Sequence, residues 1–364
     1  MSPAALARAG AVYYDPRMGM QVDTVIPVDD WRAIPEVARR AEALGFAGVM
    51  SPEIQNDPFI PLAFAATATE RIRLGTAVAI AFPRSPMMVA NLSFDLQRNS
   101  RGRFVLGLGT QVKGHNERRF SVRWESPGPR LKEYVEALRA IWRCWEEKEP
   151  LRYEGKYYQF TLMTPEFSPP PTGLPPVPVT IAAVQPYMLR LSGEVCDGVR
   201  LHGFCTKRYL EEVALPAITE GLRRAGRDRA KFEIWGGGFI ATGKDSDEVR
   251  RAVEETRYRI AFYGSTRTYS GVLALHGWDA EAAKLHELSK RGQWGEMAKV
   301  VSDDMVETFA AVAPHDGLVD AVRARFGGLV DRIALGFPKS TPQGLVRELL
   351  TDIGKIPAAF AGWN

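Results

Sequence analysis

Four times before residue 110 the chain passes from a short apolar stretch towards a segment with helical spacing, and this alternation limits the folds open to it. Residues 20–26 read as a strand, after which Ile34, Val37, Ala38, Ala41 and Leu44 fall on one helical face before Gly45 stops the turn. Residues 46–50 form a second short apolar strand, followed by a helix of small residues. Residues 72–80 form a third, followed by a helix that turns Val89, Leu92 and Leu96 inward, and residues 104–108 form the fourth. Such a series of βα units predicts a parallel sheet.

The pattern continues with interruptions. Leu131, Tyr134, Val135, Leu138, Ile141, Trp142 and Trp145 recur at intervals of three and four, which makes a long amphipathic helix with its aromatic residues in the core. "YEGKYYQF" reads as a short hairpin, and "SPPPTGLPPVPV" is an extended connection that its prolines keep from being helical. A fifth strand, "VTIAA", and a sixth, "GVRLHGF", flank a helix; a further helix precedes the seventh strand, 232–243. A mostly helical insertion over about 245–313 comes before the last helix and the eighth strand, 329–337. The expectation is an α/β TIM (β/α)8 barrel with inserted segments over 20–340, preceded by an extension, 1–19, and followed by a helical tail, 341–364. A doubly wound open sheet is the alternative.

Composition excludes several functions. The formal charge is +4, with Lys and Arg scattered, so no basic stripe for nucleic acid stands out. No apolar run approaches the roughly 20 residues of a membrane span. Cys144, Cys196 and Cys205 follow no metal-ligand spacing, which suits buried thiols in a reducing cytoplasm. No metal site, P-loop, Ser-His-Asp order or paired-carboxylate motif is apparent.

The stretch "RFVLGLGTQVKGHNERRF" resembles a dinucleotide fingerprint at first sight, but Val112 stands where the third glycine is needed. It reads instead as a buried strand whose Gly107 and Gly109 let a backbone lie close to a ligand, with Thr110, Gln111, His115 and Asn116 beyond; tight strand-to-loop geometry is the plainer account of the glycines. In a barrel the strand ends converge, gathering Glu53, residues 77–82, residues 109–116, Ala182, Ala183, Val184 and Gln185, and His202 into one site. Small residues beside few polar ones suit a flat ring laid against backbone, and a cofactor must supply the reactivity. "AAVQP" opens a helix whose free amides suit a phosphate. Residues 262–269 and 276–278 combine aromatic and hydroxyl side chains within the insertion, either as helix packing or as a pocket wall.

"GFAGVMSPE", "IRLGTAVAIAFPRSP", "GRFVLGLGTQ", "RLKEYVEALRAIWRCW" with "YEGKYYQF", and "PVTIAA" with "DGVRLHG" together resemble the bacterial luciferase-like superfamily, in particular its deazaflavin-dependent oxidoreductases. The resemblance runs from about residue 20 to 338. It implies an enzyme, often a homodimer, that transfers a hydride between coenzyme F420, an 8-hydroxy-5-deazaflavin, and a small organic substrate. FMN in a monooxygenase is the alternative cofactor, and a non-catalytic flavin-binding barrel the alternative outside catalysis. The resemblance further implies a cis peptide between Ala77 and Val78 behind the ring, an acidic role for Glu53, and polar cofactor contacts from Thr110 and Asn116. Two departures stand out: deazaflavin-dependent glucose-6-phosphate dehydrogenases carry a histidine and a glutamate where this chain has Ile54 and Val112. That leaves His202 as the proton donor or substrate contact, since imidazole titrates near neutral pH.

Overall fold

A computed structural model of the chain describes residues 19–363, so most of the expected 1–19 extension lies outside the described residues. Eight parallel strands close on themselves: β1 (Gln21–Val25), β2 (Gly48–Ser51), β3 (Arg73–Thr76, resumed at Ala79–Ile80), β4 (Phe104–Gly109), β5 (Val179–Ala183), β6 (Gly198–Leu201), β7 (Glu233–Gly236) and β8 (Arg332–Ala334). Pairing of β8 with β1 closes the ring, which is the expected TIM barrel. Outward residues such as Leu74, Phe104, Leu106, Ile181 and Val199 are fully buried beneath the helices, as a sheet covered on both faces requires.

The helices that matter for the site are α1 (Pro86–Asn99), α2 (Pro127–Glu146), α3 (Pro186–Val195), α4 (Ser246–Gly264) and α5 (Leu318–Phe326). Helix α2 carries the expected stripe, with Tyr134, Leu138, Ile141 and Trp145 buried. The hairpin is present as Tyr153–Glu154 against Gln159–Phe160. No helix among the described residues is long and apolar enough to cross a membrane.

Leu92, expected to turn inward with Val89 and Leu96, stands exposed on α1, whereas the other two are buried. Two further expectations change. The seventh strand is not continuous over 232–243: Gly236 and Gly237 adopt φ of +87° and +101°, which turns the chain out of the barrel. Phe239–Gly243 then pairs in parallel with Ala310–Pro314 in a separate two-stranded sheet, so a stretch read as the end of a helical segment is partly strand. Among the described residues of the tail, Gln343–Ile353 is the helical part. Beyond it the chain passes beneath the barrel, where Trp363 lies against Arg73, 4.5 Å from guanidinium carbon to ring centre.

The barrel interior is charged at its lower end. Arg332 binds Asp23 and, at 3.2 Å, Glu233, which also meets Arg73 at 2.6 Å. Burial pushes the Glu233 carboxyl up, but Arg73 and Arg332 outweigh it and hold the group down at about 2. Two glycines make room for a third buried arginine. A side chain at Gly107 would start 2.7 Å from Arg200 Nε, and one at Gly75 would start 3.1 Å from its Nη2.

Candidate functional site

Above that layer, β3 is interrupted. The partner pairs Gly75–Val105 and Ala79–Leu108 leave one more residue on β3 than on β4, and the Ala77–Val78 peptide within this bulge is cis, as the resemblance implies. Val78 faces Gly109: a Cβ on Gly109 would lie 2.8 Å from Val78 Cγ2 and 3.7 Å from Ala182 Cβ. Val78, Gly109 and Ala182 therefore form one wall from which no long side chain projects. Its surface fits a flat ring.

Glu53 sits behind the bulge. Its carboxylate accepts the Ile80 amide at 2.7 Å and Arg84 Nη1 at 2.8 and 3.0 Å, while Arg84 also binds Asp57 at 2.9 Å. The expected second-strand acid is thus the clamp that holds the resumed part of β3 in place.

The loop after β4 is pinned by its own side chains. Asn116, fully buried, donates through Nδ2 to the carbonyls of Thr110 at 2.9 Å and Val112 at 3.1 Å, and its Oδ1 is buried without a partner. Thr110 Oγ1 donates to the Gln111 carbonyl, and Gln111, at φ +58°, accepts the Val112 amide on its side chain.

After β5, Tyr209 donates its hydroxyl to the Val184 carbonyl at 3.0 Å, and Gln185 reaches the Thr268 carbonyl, tying this loop to the segment after α4. Helix α3 starts at Pro186 without a side-chain cap, so its next amides stay unpaired. Ala183, next to Ala182 on β5, is buried in the core.

His202 follows β6, two residues after Arg200. Its Nδ1 accepts the Phe204 amide at 2.9 Å, so the ring proton sits on Nε2. Tyr269 stacks on the imidazole at 5.0 Å and Tyr263 meets its edge at 4.2 Å. Burial lowers its pKa to about 4, so the ring is neutral near pH 7 and offers an N–H rather than an imidazolium. Tyr263, near the end of α4, and Tyr269, beyond it, thus pack against His202, while His276 bonds Thr206 at 2.9 Å.

The sequence missed one large cleft. A cleft of about 730 Å³ lies at the ends of β1, β6, β7 and β8, walled by Val25, Trp235, Phe239 and Leu335 and faced by Arg251 and Arg259 of α4. None of the expected site residues lines it, although Leu201 and Gly203, either side of His202, do. The run Gly236–Gly238 was the available signal, because it is where the chain leaves the barrel to form this cleft. Arg325, on α5, clasps the loops on both sides, donating to the carbonyls of Cys205 at 2.6 Å and Gly237 at 2.8 Å.

Comparison with known proteins fits this arrangement. The family model described as luciferase-like monooxygenase matches residues 8–332. The chain belongs to the luciferase-like monooxygenase family. Within this luciferase-like group, an uncharacterized protein of Mycobacterium tuberculosis is 46% identical over 314 residues, covering 86% of this chain and 92% of that relative. The 5,10-methylenetetrahydromethanopterin reductase of Archaeoglobus fulgidus is 30% identical over 284 residues, covering 76% of this chain and 80% of the relative. Among solved structures, the coenzyme F420 dependent tetrahydromethanopterin reductase from Methanopyrus kandleri superposes with a TM-score of 0.73 at 22% identity, covering 93% of this chain and 98% of that one. At that identity the likeness speaks to the fold.

Proposed function

We propose that this protein is an oxidoreductase that moves a hydride between a deazaflavin, coenzyme F420, and a small organic substrate. The observation that carries the reading is the wall of Val78, Gly109 and Ala182 beside the cis Ala77–Val78 bulge, where a ring can lie against backbone. The name of the Archaeoglobus relative, a reductase, supports hydride chemistry over oxygen insertion.

When bound, the deazaflavin supplies a hydride-accepting and hydride-donating carbon at C5. Glu53, clamped by Arg84, keeps the bulge behind the ring in register. Asn116, through the Thr110 and Val112 carbonyls, would hold the loop that carries Thr110 beside the ring. The uncapped amides at the start of α3, beside Ala183, Val184 and Gln185, receive the cofactor phosphate. His202 Nε2–H, held in place by Phe204 and Tyr269, polarises an oxygen of the substrate as a neutral donor. The cleft beyond Gly203 takes the remainder of the substrate.

The family description favours a second reading, an FMN-dependent monooxygenase. Fluorescence titration of the purified protein with F420 and, separately, with FMN tests both. Saturable binding of F420 with FMN ignored is the expected result; preference for FMN moves the assignment to the monooxygenase, and binding of neither removes both.

A further inference from the structure

Arg200 is almost fully buried, yet among the described residues it makes one hydrogen bond, from Nε to Thr180 Oγ1 at 3.0 Å. Its Nη1 is buried with no partner. A guanidinium carries five N–H donors, and leaving most of them unused away from water is costly. Trp235 provides a ring face 5.1 Å from the guanidinium carbon, which accounts for one side of the group but for none of its donors.

The neighbouring charges are committed elsewhere. Asp23 on β1 is bound by Arg332 of β8 and by Trp235 Nε1 of β7, and Glu233 of β7 is bound by Arg73 of β3 and by Arg332. Neither carboxylate comes within ion-pairing distance of Arg200. Both still act on Arg200 at longer range, as do the cations Arg332 and Arg73.

The position of Arg200 gives this a direction. Ala182, part of the ring wall, is its register partner across β5 and β6. Gly107, which leaves space for its Nε, is two residues before Gly109, also part of the wall. Arg200 and His202 share the inward face of the chain and stand about 7 Å apart along it. The guanidinium is therefore one layer beneath the place where a ring would lie, in a dry interior where a charge acts strongly.

We propose that Arg200 is a positioning residue for the bound cofactor: a fixed cation beneath the wall that favours the anionic form of the ring. The inference rests on the proposed cofactor reading and gives a role to an arginine within "DGVRLHG" that the sequence reading left without one. It applies to a reduced deazaflavin and to reduced FMN alike, because both rings become anions by losing a proton from the pyrimidine side. A positive group below the ring lowers the pH at which that proton leaves.

The test is an anaerobic absorbance titration against pH of the full chain loaded with reduced F420, or with reduced FMN if that is the ligand that binds. In the wild type the bound ring is expected to ionise at a proton concentration at least tenfold higher than the free cofactor does. Ionisation at or above the pH of the free cofactor overturns the inference and needs no variant. Arg200→Met is expected to abolish the difference and Arg200→Lys to keep most of it; a merely structural arginine would lower thermal stability in both and leave the ring titration where it was. Tight binding with an unshifted titration overturns the role of Arg200 alone, whereas failure to bind either cofactor overturns the cofactor reading and this inference together.

Discussion

Arg84 places one guanidinium nitrogen 2.8 and 3.0 Å from the two carboxylate oxygens of Glu53, and the same carboxylate receives the Ile80 amide. The pair joins the end of β2 to the resumed part of β3, so the acid that family resemblance brings to the ring edge is also a fastening for the bulge. Glu53→Gln keeps the shape but leaves Arg84 with Asp57 as its remaining anionic partner. The expected loss is about 1–3 kcal/mol of unfolding free energy, because a mostly buried cation loses one of its counter-ions. Urea unfolding measures it. An unchanged midpoint together with lost turnover would instead make Glu53 a proton carrier.

His202 yields a pH dependence whose direction is fixed by burial. Its pKa falls from 6.5 to about 4 on folding, so the unfolded chain takes up a proton that the folded chain refuses between those values. The full contribution of the neutral ring is present above about pH 6.5 and is lost as pH falls towards 4. Between pH 7 and pH 5 the wild type should lose roughly 2 kcal/mol on this account. His202→Asn, whose side-chain oxygen can accept the Phe204 amide, should flatten that part of the stability profile. A variant curve parallel to the wild type would mean that the imidazole is solvated. The same shift predicts that turnover shows no imidazole step near pH 6.5.

We propose that the chain forms a homodimer through an apolar face on the helices Phe59–Ala68 and Pro86–Asn99. Ile60 and Phe64 are exposed four residues apart on the first, Met88 and Leu92 four apart on the second, and Trp31 meets Phe64 at 6.0 Å. Exposed apolar residues at that spacing mark a contact surface. Sedimentation at micromolar concentration should give a dimer, and Phe64→Glu with Leu92→Glu a folded monomer. A monomeric wild type would leave the face without this role.

The barrel was legible because parallel strands buried on both faces read as apolar runs and the helices between them keep a regular stripe, as in Val135, Leu138 and Trp142. Individual strand ends were legible too, since Gly109 and His202 punctuate those runs. What the linear chain does not display is charge inside the barrel: Asp23, Arg73, Arg200, Glu233 and Arg332 come from five strands and meet only after closure. The exit at Gly236 was misread because a glycine run between two apolar stretches suits a continuous strand until its backbone angles are known. The partners of Glu53 and His202 were invisible for a third reason. Arg84 lies 31 residues from Glu53 and Phe204 two from His202, and both bonds depend on turns that carry no fixed motif.

Gly107 and Gly109, one strand turn apart, separate stability from binding. A methyl on Gly107 would start 2.1 Å from the Thr76 carbonyl oxygen, a backbone atom in a paired strand, and 2.7 Å from Arg200 Nε. Neither can move far, so Gly107→Ala should cost about 2–3 kcal/mol, as overpacking of a rigid core does. A methyl on Gly109 meets chiefly a methyl of Val78, which can turn aside, so Gly109→Ala should cost about 1 kcal/mol or less. That added methyl would nevertheless stand on the wall against which the ring is proposed to lie, and cofactor affinity should fall at least tenfold. Urea unfolding and fluorescence titration on the two variants give the four numbers required. A Gly109→Ala protein that binds cofactor as tightly as the wild type would place the ring elsewhere, and the cleft bounded by Trp235 and Phe239 would become the first place to look for it.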